Sequence, residues 1–510
     1  MPPRTDLATL DARYDLIVIG GGITGAGIAR EAIRSGARVL LVDARDFAAG
    51  TSSWSSKLVH GGLRYLKNGQ WRLTLESVRE RQRLLREAPG LVDAQPFIMP
   101  IYANRKPGRW LMQLGLLVYD WMAGVRRSRW LARDAVLGLE PDLCAEFLSG
   151  AMLFEDASTD DARLVLRLLA EAERGGATLR NYCEASVRHS DGRCVGVSLR
   201  DAAGGAQREI DAGVVINATG AWAAQLPGAP ATGPRLRPLR GSHLLIAQSR
   251  LPLRHAISWL HPQDQRPVFA HPWEGAVVLG TTDIDHAGPL DKPRISDPEV
   301  SYLLDALHAQ FPRLNLTVQD VLASYAGIRP VVDSGKLNPS AESRESALWS
   351  SPGLVNVTGG KLTTFRTTAR EALRAAAGDV PQLQPAADAA VFGVDATASA
   401  PQRLAGRYGA PQALQMLAGA SADEREAVMG TPYSWAELRW SVRHEWVQHL
   451  QDLMMRRTRL GLVAAQGGAE ALPRILGICR QELGWDEVRC ARERNAYLEY
   501  WRAQHAPPSF

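Results

Sequence analysis

The chain has 510 residues, 45% of them hydrophobic and 22% charged, with a formal net charge of +5. At roughly 100–200 residues per domain, this length allows two to four domains, with cores large enough to need no disulfide staples. So small an excess charge argues against a nucleic-acid partner, which requires a concentrated basic face; it suits a small anionic substrate or an anionic lipid surface.

The five cysteines, Cys144, Cys183, Cys194, Cys479 and Cys490, form no CxxC and no metal-ligand spacing. A reduced, cytoplasmic setting without a metal is expected. Lysine occurs only at Lys57, Lys67, Lys106, Lys292, Lys336 and Lys361, against a background rich in arginine. Residues 1–13 have no apolar signal core. The most apolar long stretch, Trp110–Ala123, carries Gln113 and Asp120 and falls short of the roughly 20 apolar residues that span a bilayer.

In chain order, Tyr14–Gly20 is a short apolar run ending in glycine, the pattern of a buried parallel strand. Thr24–Ser35 predicts a helix stopped by Gly36, and Arg38–Asp43 a second buried strand. Together they form one βαβ unit. Trp71–Glu87 and Asp160–Arg174 have helical periodicity. Adjacent residues on a helix point apart, so Asp160-Asp161 predicts an N-terminal cap rather than a catalytic carboxylate pair. Cys183–Val197 and Glu209–Ala218 predict strands around turns at Asp191-Gly192 and Ala203–Ala206. Short alternating runs between about 235 and 330 predict a largely antiparallel sheet. Gly353–Thr358 predicts one more strand, followed by a helix from about Thr364 to Ala377. The segment Gly378–Ala400 is rich in Ala, Pro and Asp and predicts a linker. Beyond Pro401 the spacing predicts a separate helical domain.

The turn Gly20-Gly21-Gly22-Ile23-Thr24-Gly25 is a G-x-G-x-x-G between strand and helix. Gly20 permits the tight turn, Gly22 lets a pyrophosphate approach the backbone, and Gly25 lets helix and strand pack closely. The helix N-terminus then faces the phosphates, and Asp43 ends the second strand where a carboxylate can hold a ribose diol. Two distant glycine-ended elements, Asn217-Ala218-Thr219-Gly220 and Val357-Thr358-Gly359-Gly360, suit a long cofactor gripped from several segments, which favours FAD over NAD.

The segment Thr51-Ser52-Ser53-Trp54-Ser55-Ser56-Lys57-Leu58-Val59-His60-Gly61-Gly62-Leu63-Arg64-Tyr65-Leu66 closely resembles a motif of flavin-dependent, quinone-linked glycerol-3-phosphate dehydrogenases. Asp160–Leu164, Asn217–Trp222, Gly241–His243, Gly280–Asp283, Gly327–Pro330, Gly359–Thr364 and Asp452–Gly461 resemble the same family in the same order. Two positions depart from it: Asp43 stands where many members have glutamate, and Trp54 is bulkier than the small residue common there.

The resemblance implies an α/β fold: a Rossmann-type FAD-binding domain with an α+β substrate domain built on a largely antiparallel sheet, and a C-terminal helical domain. It divides residues 1–385 into FAD-binding segments of about 12–80, 151–234 and 340–385 and substrate-domain segments of about 81–150 and 235–339. Residues 386–400 are then the linker and 401–510 the helical domain. The implied activity is oxidation of sn-glycerol 3-phosphate to dihydroxyacetone phosphate, with electrons passed to membrane ubiquinone. A glycerol-3-phosphate oxidase using oxygen and an amine- or amino-acid-oxidase-type flavoenzyme are the alternatives.

Such an oxidation needs a hydride acceptor, supplied by FAD, and a proton acceptor, supplied by the protein. A phosphate dianion needs cationic, multidentate partners. Arg64, Arg329 and Lys361 fall in the matching motifs and are expected to converge on substrate, with Tyr65 and Thr281 adding hydrogen bonds. His243 is expected on the substrate side and His60 beside the flavin, each a candidate base; Arg329 could instead stabilise the developing alkoxide. The resemblance implies a flavin lining of Gly20, Gly22, Gly25, Asp43, Thr51, Ser52, Ser53, Ser56, Lys57, His60, Gly61, Gly62, Leu63, Val187, Ala218, Gly220, Trp222, Gly360, Lys361, Leu362 and Thr363. Basic and aromatic residues bracket the apolar 110–123 run, a pattern that suits an interfacial helix at the cytoplasmic face of the inner membrane. Oligomeric state stays open, with a homodimer admitted.

Overall fold

The computed structural model describes residues 5–62, 71–103, 105–337, 339, 342, 344–393 and 399–507. Leu63, Arg64 and Tyr65 lie outside the described residues.

An 8-stranded sheet holds the nucleotide turn. Its order is Ser346–Ser351, Leu354–Gly359, Gln207–Asn217, Arg13–Ile19, Val39–Val42, Thr178–Arg180. The four central pairings, from Leu354–Gly359 to Thr178–Arg180, are parallel. These strands are buried on both faces, which is why they read as unbroken apolar runs. The Cys183–Ser190 and Arg193–Asp201 hairpin extends the sheet from Gln207–Asn217. Helix Ile23–Ala32 continues as a tighter turn to Ser35 and stops at Gly36, whose φ of 79° suits glycine. Helices Asp161–Arg174 and Phe365–Ala376 pack against it.

The second sheet has 10 strands and carries the substrate side of the cavity. Leu236–Ala247, Ala276–Gly280, Pro267–Trp273 and Ala256–Leu260 form an antiparallel run, with Val321–Val332 on the far side of Leu236–Ala247. Ala256–Leu260 then pairs in parallel with Val92–Tyr102, the one parallel pairing among the described residues of a sheet expected from alternation to be largely antiparallel. Val92–Tyr102 pairs with Leu148–Thr159. Helix Arg109–Ala123 lies across this end of the sheet.

From Gln402–Tyr408 to Glu487–Gln504 the chain is helical. This unit shares one core with the second sheet: Leu453, Met454, Leu460 and Tyr497 pack with Trp54, Leu245, Trp273 and Tyr325. The segment before it, which composition presents as a linker, is largely exposed but is anchored at three points. Leu383, Val391 and Phe392 are buried in the first core. Its carbonyls at Ala387, Ala389 and Val391 accept from Arg34, Arg366 and Arg30 at 2.6, 2.9 and 3.0 Å.

Candidate active site

The two sheets enclose one cavity of about 2130 Å³. That is two to seven times the roughly 300–1,000 Å³ of a drug-sized ligand site, so it has room for a dinucleotide and a substrate together.

The glycine turn forms its floor. A side chain at Gly25 would put its Cβ 1.9 Å from the Gly20 carbonyl oxygen, so strand and helix meet there only through glycine. Gly20 takes φ 111°, with Ala218 O only 2.6 Å from where its Cβ would stand. The next helix opens at Gly22, which has no side chain to cap the free amides. Ser52 Oγ accepts from Ile23 N at 2.9 Å, and Asp43 accepts from Gly21 N at 2.7 Å and Arg45 N at 2.8 Å. Burial raises the Asp43 pKa, so this carboxylate gains from any further donor, such as a ribose hydroxyl. Gly20, Gly22, Asp43, Thr51, Ser52, Ser56, His60, Gly62, Ala218, Gly220, Trp222, Gly360, Lys361, Leu362 and Thr363 all line the cavity. These residues fit FAD: glycines for close approach, helix amides for pyrophosphate, and a carboxylate for ribose.

Other residues expected around the cofactor lie behind this surface. Ser53 Oγ donates to Ala48 O at 2.7 Å. The Lys57 ammonium is fully buried and bonds Asp161 at 2.8 Å. Gly61 N donates to Tyr119 Oη at 2.8 Å, and Val187 packs into the core of the first sheet.

Facing the glycine turn is a cationic chamber. Arg329, Arg344, Arg266 and Thr281 line it, the three arginines gathered around the buried carboxylate of Asp283, and Lys361 lines the same cavity near Arg344. Asp283 holds Arg344 at 2.7 Å, Arg329 at 3.1 Å and Arg266 at 3.8 Å. Arg329 also donates to Thr281 Oγ1 at 3.1 Å and lies against the Gly241 backbone, where a Cβ would stand 2.1 Å from Nη2. Arg344, Arg266 and Asp283 were absent from the expected site. Asp283 could have been picked from the Gly280–Asp283 motif; Arg344 sits in a stretch with no periodicity to flag it.

The two histidines are placed differently. His60 lines the cavity, and burial pushes its pKa down to about 4; Asp156 opposes this while Lys361 and Arg344 add to it. Its imidazole is therefore neutral at pH 7 and has a lone pair for a proton. Behind it Asp156 accepts from Tyr119 Oη at 2.6 Å and pairs with Arg81. His243 does not line the cavity. Its Nε2 lies 2.8 Å from Ser56 Oγ, and its ring stacks on Tyr325 with centroids 4.7 Å apart. Ser56 stands between it and the cavity, and burial holds its pKa well below the usual histidine range.

The cavity has a third, apolar branch. Phe97, Met99 and Ile101 occupy alternate positions of one strand face, joined by Phe154 and Phe269, under Met112 of the 109–123 helix. Phe269 is in register with Gly280, beside Thr281, so this gallery meets the cationic chamber. Its outer rim includes Leu111 and Leu114, which are 66% and 61% exposed.

A Rossmann-type sheet bearing this glycine turn, joined through one cavity to a mainly antiparallel substrate sheet, defines an FAD-dependent oxidoreductase. The family described as FAD dependent oxidoreductase matches residues 15–373, and the one described as C-terminal domain of alpha-glycerophosphate oxidase matches residues 365–490. An aerobic glycerol-3-phosphate dehydrogenase of Staphylococcus epidermidis is 32% identical, over 96% of this chain and 94% of its own. The corresponding proteins of Staphylococcus haemolyticus and Bacillus subtilis are 37% and 38% identical over 70% of this chain; the matched regions span 66% and 65% of those two relatives. The structure of the glycerol-3-phosphate dehydrogenase from Bacillus halodurans complexed with FAD superposes with a TM-score of 0.78 at 29% identity, covering 97% of this chain and 95% of that one. The chain belongs to the aerobic glycerol-3-phosphate dehydrogenase family.

Proposed function

We propose that this protein oxidises sn-glycerol 3-phosphate to dihydroxyacetone phosphate and passes the electrons to ubiquinone at a membrane surface. The carrying observation is the meeting, in one cavity, of a dinucleotide cradle with Arg329, Arg344, Lys361 and Thr281. Bound FAD supplies the hydride acceptor. The arginines hold the phosphate by charge-assisted, forked hydrogen bonds and so fix the position of the carbinol carbon. His60, neutral at the cavity wall, takes the hydroxyl proton at its imidazole nitrogen. His243 acts through the Ser56 hydroxyl it bonds, as a positioning group.

The apolar gallery supports a lipid-soluble acceptor over oxygen, which needs no lined route of this size. Anaerobic mixing with glycerol 3-phosphate is expected to bleach the flavin absorbance, and ubiquinone to restore it faster than air. An unbleached flavin removes the substrate assignment; rapid reoxidation by oxygen with peroxide release selects the oxidase reading.

The surface around the gallery mouth supports membrane contact. Trp110 and Trp121 are 75% and 79% exposed on the 109–123 helix, flanked by Arg105, Lys106, Arg109, Arg126, Arg127 and Arg129. Among the described residues no helix is long and apolar enough to cross a bilayer, so the fit is to the interface. Replacing Trp110, Leu114 and Trp121 together by serine is expected to abolish co-sedimentation with anionic phosphatidylglycerol vesicles at low salt. Full retention of binding assigns the contact to another face.

A further inference from the structure

Among the described residues, the C-terminal helical unit supplies no side chain to the cavity lining, yet it carries the Asp452–Gly461 motif. That motif faces the back of the loop that lines the cofactor cavity. Loop 46–57 presents Ala48, Thr51, Ser52, Trp54 and Ser56 to the cavity. Its reverse side is held by buried charge. The Asp46 carboxylate is fully buried and pairs with Arg456 and Arg457; Arg457 Nη2 donates to it at 2.9 Å. Burial alone would raise the Asp46 pKa, but Arg457 and Arg456 outweigh it and hold the group ionised. The Ser53 carbonyl accepts from Lys57 Nζ and from Arg459 Nη1 at 3.4 Å. Arg459 pairs with Asp160 at 2.8 Å and Asp161 at 2.5 Å, and Asp161 in turn accepts from Ser55 N at 2.9 Å and Ser55 Oγ at 2.7 Å.

Two further features point the same way. The loop is bracketed by Ala48 and Lys57, both at φ 59°, a conformation that L residues adopt only when their surroundings impose it. Arg456 and Arg457 come from a widened turn, Leu453–Arg457, closed by Thr458 N to Leu453 O at 2.9 Å, and Arg459 caps the helix that follows it. Such turns are rare and cluster at functional sites. Buried ion pairs are poor stabilisers compared with apolar packing of the same volume. What they do provide is a fixed position for each carboxylate and carbonyl they bond.

We propose that Arg456, Arg457 and Arg459 are positioning residues for the cofactor: the C-terminal unit sets the shape of the flavin-facing loop from behind. The proposal rests on the flavoenzyme reading, and FAD affinity, read without glycerol phosphate, tests it separately from that reaction. Apoprotein is titrated with FAD, following flavin fluorescence and visible circular dichroism. Arg459→Lys and the charge-deleted pair Asp46→Asn with Arg457→Gln are expected to raise the Kd for FAD at least tenfold and to change the flavin dichroism. Arg439→Met is the control: Arg439 pairs with Glu424 and Glu482 within the same unit, away from the loop, and its Kd stays that of the parent. A folded charge-deleted pair with parental Kd and dichroism overturns the proposal. Hydrogen–deuterium exchange on the unaltered protein gives a readout free of folding defects. FAD is expected to slow exchange in 46–57 and 452–461 together; protection of the first without the second overturns the proposal equally.

Discussion

Arg329→Ala is expected to lower kcat/KM for glycerol 3-phosphate on the order of 10³-fold, about 4 kcal/mol, the cost of removing one partner from a desolvated charge pair. Its guanidinium lies flat on Gly241, with one nitrogen on Asp283 and another on Thr281, so it is held at the cavity wall and meets an anion there at little further cost in side-chain entropy. Truncation leaves the fold intact, because Asp283 keeps Arg344 at 2.7 Å. Arg329→Lys keeps the charge but loses the planar fork, and a loss of roughly 10–100-fold is expected. Steady-state kinetics with an artificial electron acceptor measure both. A kcat/KM for the alanine variant within tenfold of the parent would remove Arg329 from the substrate site.

Much of the architecture was legible because it is written in local periodicity. The βαβ unit with its glycine turn, the Trp71–Glu87 helix and the Asp160 cap all follow from apolar spacing and cap chemistry. The site was legible only in part, because its assembly is non-local. Asp283 and Arg344 are 61 residues apart, and only the fold brings them to 2.7 Å. The resemblance placed Lys57 beside the flavin with Ser52 and Ser56, but a motif does not say which side of a loop a side chain takes. Here the pull of Asp161 turns the ammonium inward. His243 likewise lies on a correctly read strand. Its withdrawal from the cavity depends on register, which sets it opposite Gly280, where a Cβ would come within 2.2 Å of the ring. Gly378–Ala400 hid its anchors, Leu383, Val391 and Phe392, among small and polar residues. The C-terminal motif was visible as a resemblance, but its role needs the loop it touches.

Substrate binding is expected to take up a proton at Lys361. Burial, with Arg344 nearby, pushes this lysine down to about 6, so above that pH it is mostly neutral in the absence of substrate. A phosphate dianion beside it favours the ammonium form and raises its pKa. The sign follows: between the two pKa values, binding captures a proton, so affinity weakens as pH rises, by up to tenfold per unit. The effect levels off once pH passes the pKa of the complex. The second ionisation of a phosphate monoester lies near pH 6, so between pH 7 and 9 the substrate charge is constant and the slope belongs to the protein. Calorimetry of glycerol 3-phosphate binding in buffers of different ionisation enthalpy is expected to show uptake approaching one proton at pH 8. Lys361→Arg, charged at every pH, should bind with little pH dependence over this range and without uptake. Lys361→Met should bind weakly throughout. A parent enzyme with no uptake and a flat affinity from pH 7 to 9 would mean that Lys361 is already charged, or does not face the phosphate. The methionine variant separates the two: its affinity falls if a charged lysine holds the phosphate and is unaltered if the side chain is remote from the anion.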